Sequence, residues 1–111
     1  MPDRLSAPVY NTLLALGTET RHGWAIMQHL AELTDGAEEL LPGTLYATLA
    51  RMLESGLIEE ARPPRNDGSG GPPRRHYRAT AKGKALAQEE TERMRRWVNV
   101  ARRVWQPGLA R

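Results

Sequence analysis

Cysteine and phenylalanine are absent from this 111-residue sequence, and it contains no long apolar run. Without cysteine the chain can form neither disulfide bonds nor thiolate metal sites, which fits a reducing compartment. A membrane-spanning helix needs roughly 20 consecutive apolar residues, and the first residues lack the basic and apolar segments of a signal peptide. These absences favour a cytoplasmic protein, and the length favours one compact domain.

Positive charge is scarce in the first half of the chain. Residues 1–61 carry a net charge of −6, whereas residues 62–111 carry +9, and 14 of the 16 basic residues are arginine. Arginine is the side chain best suited to bidentate contacts with phosphate and guanine. The basic character therefore belongs to the second half, although GC-rich codon usage would also favour arginine.

Three segments of the first half have apolar residues at the spacing of amphipathic helices. They cover about residues 6–17, 22–34 and 42–55. Ser6 can cap the first helix, and Pro42 suits the first turn of the third. On the third helix, the face opposite the apolar stripe is small and polar for its first two turns, which a helix needs if it is to fit the roughly 12 Å wide major groove of DNA.

The pattern then changes to two short strands, at residues 57–62 and 75–79. Residues 63–73 between them are almost entirely turn formers, so the strands are expected to form a hairpin with a long loop. The loop and its base carry five arginines against one aspartate. Basic loops of this kind can reach phosphate or a narrow minor groove. The alternative is a solvated, disordered linker.

A long helix is expected from Thr80, a good N-cap, to about Trp105. At 1.5 Å per residue it would be roughly 39 Å long, more than a domain of this size can cover with its own core. Its apolar stripe follows heptad positions, and burying one aliphatic side chain is worth roughly 1.5–3 kcal/mol. We therefore predict a two-fold homodimer paired through this helix. The predicted dimer contacts are Met94, Trp97, Ala101, Val104 and Trp105.

The order of these elements is that of a winged helix-turn-helix, and several local strings resemble the PadR-like transcriptional regulators. The strings are His22-Gly23-Trp24, Pro42-Gly43-Thr44-Leu45-Tyr46, Gly56-Leu57-Ile58, Arg75-His76-Tyr77-Arg78 and Thr80-Ala81-Lys82-Gly83. The resemblance covers roughly residues 7–86. The chain departs from the family at three positions: Leu41 is a poor N-cap, Ala47 stands where many members have proline, and Trp24 replaces a common tyrosine.

The resemblance implies a mainly α fold with a small β-hairpin. Residues 1–79 would form the winged helix-turn-helix DNA-binding domain, with the wing at about residues 62–78, and residues 80–106 the C-terminal dimerisation helix. In the family's short subgroup, this helix pairs with its mate and with the partner's first helix. The implied function is a sequence-specific, ligand-responsive repressor that acts as a homodimer on a roughly palindromic site in double-stranded DNA.

Seven residues are the candidates for DNA contact. They are Thr44, Tyr46, Ala47 and Arg51 on the third helix, and Arg65, Arg74 and Arg75 in the wing. Two of them have alternative roles: Tyr46 could pack against the second helix, and Arg51 could pair with Glu54. Some family members hold flat aromatic ligands at the dimer centre, which makes Trp97 the candidate contact for a small aromatic effector, although it could equally serve dimer packing alone.

Nothing in the sequence indicates an enzyme, a cofactor or a metal. His22 and His29 are seven residues apart, too far for a chelating pair on one helix, and no cysteine is present. The adjacent acidic pairs have no nucleophile beside them. The rival function is a winged helix used for protein–protein contact without DNA binding. The acidic first half favours that alternative, and the basic wing beside an almost uncharged helix face argues against it.

Overall fold

The computed structural model of the chain describes residues 4–63 and 74–106. The fold is mainly helical with one small antiparallel sheet, as the sequence predicted. Its elements are α1 (Ala7–Leu16), β1 (Arg21–His22), α2 (Gly23–Leu33), α3 (Pro42–Glu54), β2 (Ile58–Ala61), β3 (His76–Ala79) and α4 (Ala81–Trp105). The sheet has the strand order β1-β3-β2. None of the helices in the described part of the chain is long and apolar enough to cross a membrane.

The two-residue strand β1 was not predicted, because so short a segment carries no alternating pattern. It pairs antiparallel with β3, with Arg21 opposite Tyr77 and His22 opposite His76. The imidazole rings of His22 and His76 meet edge to face, with their centroids 5.2 Å apart. This pairing places the start of α2 directly beside the base of the wing hairpin.

Side-chain caps set the starts of three helices. The Ser6 and Thr80 hydroxyls accept the Val9 and Gly83 N–H groups in the first turns of α1 and α4, as predicted. The start of α2 has a less common cap, because the Ala25 N–H donates to Nδ1 of His22 over 3.1 Å. Leu41 gives α3 no side-chain cap, so its first N–H groups point outward without a side-chain acceptor.

One apolar core joins the first three helices to the sheet. Its fully buried side chains include Leu16, Ile26, Leu30, Leu45, Leu49, Met52 and Ile58. Tyr77 and Ala79 of β3 are buried too, whereas Arg78 between them is exposed. Only the first half of α4 packs on this domain: every residue from 94 to 106 is exposed.

Candidate nucleic-acid interface

The outward face of α3 is built from short side chains and one cation. Thr44, Ala47 and Arg51 are exposed on it, while Leu45, Thr48, Leu49 and Met52 on the inward face are buried. No ion pair joins Arg51 to Glu54 or to any other residue that the structure describes. Arg51 therefore does not form the alternative ion pair with Glu54 in this structure.

Tyr46 lies at the edge of that face, against the start of α2. Its side chain is 53% exposed, yet its ring covers the α-carbon of Gly23. A Cβ added to Gly23 would lie 2.9 Å from the Tyr46 hydroxyl oxygen and 3.1 Å from two ring carbons. The tyrosine therefore packs on α2 and still presents half of its surface to solvent, and a side chain at position 23 would require the ring to shift.

A cleft of about 590 Å³ opens between the start of α2, α3 and the base of the wing. It is lined by His22, Gly23, Trp24, Tyr46, Arg74, Arg75 and Tyr77. Three of the predicted DNA contacts therefore meet in one cleft, although they come from distant parts of the sequence: Tyr46, Arg74 and Arg75. No carboxylate is among the described residues of its lining, so the cleft presents guanidinium groups, aromatic rings and N–H or O–H donors. Such a lining suits a phosphate group.

The two cleft arginines have different surroundings. Arg75 donates from Nε to Oε1 of Glu60 over 2.5 Å, and its guanidinium carbon lies 5.9 Å from the centroid of the Tyr77 ring. Arg74 lies with Nη1 3.5 Å from Nε2 of His22. The hydrogen bond from Arg75 holds the pKa of the Glu60 carboxyl below its usual value, and burial raises the pKa of the Tyr77 phenol. The wing base is thus less positive than its arginine count suggests.

The predicted dimer contacts lie together on the projecting half of α4, and all are exposed in the single chain. Trp97 is 54% exposed and Trp105 is 80% exposed. Trp97 also lines a shallow depression of about 290 Å³, together with Arg93, Arg96 and Val100. The structure therefore groups these residues on one surface, and nothing in the described part of the chain covers them.

A family model described as the transcriptional regulator PadR-like family matches residues 12–89. The chain belongs to the PadR-like family. Members of the family are transcriptional regulators that bind DNA. This PadR-like chain is therefore a DNA-binding regulator. No curated protein matches the sequence.

Three solved structures share the fold of this PadR-like chain. A PadR family transcription regulator from Clostridium difficile has 23% sequence identity and a TM-score of 0.72, over 89% of this chain and 98% of that one. A PadR-like transcription factor from Bacteroides fragilis has 24% identity and a TM-score of 0.67, over 86% and 87%. RosR of H. salinarum has 29% identity and a TM-score of 0.61, over 81% and 74%.

Four residues of the cleft were not among the predicted DNA contacts, although all four lie in the strings that resemble the PadR-like family. Those four are His22, Gly23, Trp24 and Tyr77. Arg65, the remaining predicted contact, lies outside the described residues. Within the described ranges, no group of three His, Cys, Asp or Glu side chains is placed to hold a metal ion.

Proposed function

We propose that this PadR-like chain is a homodimeric, sequence-specific repressor that binds a roughly palindromic site in double-stranded DNA in the cytoplasm. The observation that carries the proposal is the convergence of the outward face of α3 with a cleft whose described lining includes two arginines and no carboxylate. The face supplies a surface that can enter a major groove, and the cleft beside it supplies donors for the DNA backbone.

The charge along α3 sets the direction in which the helix enters the groove. Its first turns expose Gly43, Thr44 and Ala47, whereas Glu54 is exposed at the far end. A carboxylate close to phosphates is repelled, so the N-terminal turns enter deepest and Glu54 stays outside. Arg51 then lies at the groove edge, within reach of a guanine or a flanking phosphate. Arg65 in the wing contributes a further backbone contact.

The proposal needs a dimer, because one α3 helix reads only one half-site. Two-fold pairing through α4 would cover the stripe of Met94, Trp97, Ala101, Val104 and Trp105. It would also place two reading helices in successive major grooves, about 34 Å apart. Burial of exposed apolar surface is what stabilises such a pairing.

We further propose that a small aromatic effector binds beside Trp97 and lowers DNA affinity. An indole that is half exposed in a depression offers a face for stacking, and its place on the dimerisation helix couples it to the spacing of the reading helices. A ligand that favours a spacing of the reading helices that does not match the DNA site lowers the population of dimers able to bind DNA.

The test is fluorescence anisotropy with labelled DNA from immediately upstream of the reading frame of this chain. The protein is titrated against that duplex and a scrambled one at two salt concentrations. We expect a preference of about a thousandfold or more for the native duplex and an affinity that falls steeply with salt. Equal, weak binding to both duplexes would place the operator elsewhere, and no binding even at low salt would favour the protein-contact alternative.

A further inference from the structure

One acidic side chain, that of Glu60, lies at the edge of the cleft and already pairs with one of its arginines. Glu60 of β2 lies directly opposite Tyr77 of β3, and Tyr77 lines the cleft. The Glu60 carboxylate accepts a hydrogen bond from Arg75, which also lines the cleft. An anion entering the cleft can therefore bind Arg74 directly, whereas Arg75 is already paired with the Glu60 carboxylate.

We propose that this cleft seats one phosphate of the DNA backbone, and that the phosphate replaces the Glu60 carboxylate on Arg75 when DNA binds. The inference rests on the proposed function, since DNA supplies the phosphate. Glu60 then competes with the DNA phosphate for Arg75, and this competition lowers the affinity of the chain for every DNA sequence by the same factor.

The surroundings of the two anions favour this exchange. The side chains of Arg75 and Glu60 are 65% and 51% exposed, and an ion pair so open to water contributes little to stability. A phosphate in the cleft would gain the second guanidinium of Arg74 and the donors around it, which the Glu60 carboxylate does not contact. Two anions on one guanidinium would repel each other, so the carboxylate turns out to solvent.

The imidazole of His22 adds a donor on the same side of the cleft. Its Nδ1 accepts the Ala25 N–H, so in the neutral ring the proton is on Nε2. That nitrogen lies 3.5 Å from Nη1 of Arg74, so a phosphate bound at Arg74 would also lie within reach of the imidazole.

The experiment compares Glu60→Gln with the parent chain on a duplex of arbitrary sequence. We expect Glu60→Gln to bind about two- to fivefold more tightly at low salt, the size of effect that an exposed ion pair allows. Its salt dependence should be steeper by up to about one unit of slope. Glu59→Gln is the matched control, because Glu59 is the adjacent acid and pairs with Arg78 instead; it should leave affinity almost unchanged.

A double-mutant cycle locates the effect at Arg75. In an Arg75→Gln background the gain from Glu60→Gln should vanish, since no guanidinium remains for the two anions to share. An equal gain in Glu59→Gln and Glu60→Gln, or a gain that survives in Arg75→Gln, would overturn the exchange in favour of general charge repulsion. No gain in Glu60→Gln would also overturn it.

The outcome of this test is separate from that of the proposed function. A chain that prefers no DNA sequence contradicts a sequence-specific repressor, while the comparison on an arbitrary duplex still decides the exchange. If no duplex binds at all, inorganic phosphate is the probe, with the Arg75 Nε–H resonance as the readout. We then expect the resonance to shift at lower phosphate concentration in Glu60→Gln than in the parent, and an identical response would overturn the exchange.

Discussion

Gly83 of α4 lies so close to the main chain of Leu57 that a Cβ at position 83 would stand 2.1 Å from the Leu57 carbonyl oxygen. The Thr80 hydroxyl donates to the Gly56 carbonyl over 2.6 Å, and the Lys82 ammonium donates to the Ser55 carbonyl over 2.8 Å. These contacts fix the start of the proposed dimerisation helix to the turn that ends α3. In the proposed dimer, a rotation of α4 is therefore expected to move the end of α3 with it.

Gly83→Ala is expected to lower the free energy of unfolding by about 2 kcal/mol. Overpacking against main-chain atoms costs typically 1–3 kcal/mol, and the better helix propensity of alanine, up to about 1 kcal/mol, offsets only part of that cost. Urea unfolding at one fixed protein concentration measures the change. Gly43→Ala is the control, because a Cβ there meets no atom within 4 Å; it should leave stability equal or slightly raised. Equal loss in both variants would contradict the close contact.

Thr48→Val is expected to leave stability unchanged or to raise it by about 1 kcal/mol. The Thr48 hydroxyl is buried with no hydrogen-bond partner among the residues that the structure describes, and a buried polar group without a partner is a net cost. Thr12→Val is the matched control, since the equally buried Thr12 hydroxyl donates to the Pro8 carbonyl over 2.8 Å, and it should lose about 1 kcal/mol. Thermal unfolding of the two variants side by side gives the comparison. A loss in Thr48→Val as large as in Thr12→Val would mean that the Thr48 hydroxyl has a partner.

Local signals in the sequence were enough to predict the four helices. Ser6 and Thr80 cap α1 and α4 as expected, and the helix ends differ from the predicted ones by a residue or so. Strand β1 could not be predicted in this way, because Arg21 pairs with Tyr77 far along the chain. A pairing of two residues over such a separation leaves no periodic pattern in the sequence, and only the packing of α2 on the sheet brings the strands together.

The candidate site was predictable in its residue types but not in its charge. Tyr46, Arg74 and Arg75 were identified from motif and composition, and they do meet in one cleft. The partner of Arg75 was missed, because it depends on the register that places Glu60 opposite Tyr77. A shift of one residue would have presented Glu59 on that face instead. Counting charges along the chain cannot distinguish these two registers.

Arg51→Ala is expected to weaken binding to the preferred duplex by about 1–3 kcal/mol and to relax the preference at one base-pair position. The reason is that Arg51 is the cation on the outward face of α3 and has no ion pair among the described residues. Anisotropy titrations against single-base variants of the duplex measure both effects. Arg95→Ala, which removes an equal charge from the Glu92 pair on α4, serves as the control. If Arg51→Ala keeps both affinity and preference, Arg51 is not part of the reading surface.

Val104→Asp is expected to convert the proposed dimer into a monomer. Val104 is exposed in the single chain and lies on the same stripe as Trp97, so pairing through α4 would bury the new carboxylate on both copies. An unpaired buried charge costs several kcal/mol, which weakens the dimer by about a hundredfold or more. Sedimentation velocity over a range of protein concentrations measures the shift, and binding to the preferred duplex should fall with it.

Asn99→Asp is the control for this test, because Asn99 is exposed on the opposite side of α4. It adds the same charge to the same helix at a position that pairing leaves in water, so the dimer should persist. If both variants sediment as dimers, the two copies pair through another surface, and the stripe on α4 needs a different partner. If the parent chain is already a monomer at micromolar concentration, the proposed arrangement of two reading helices fails.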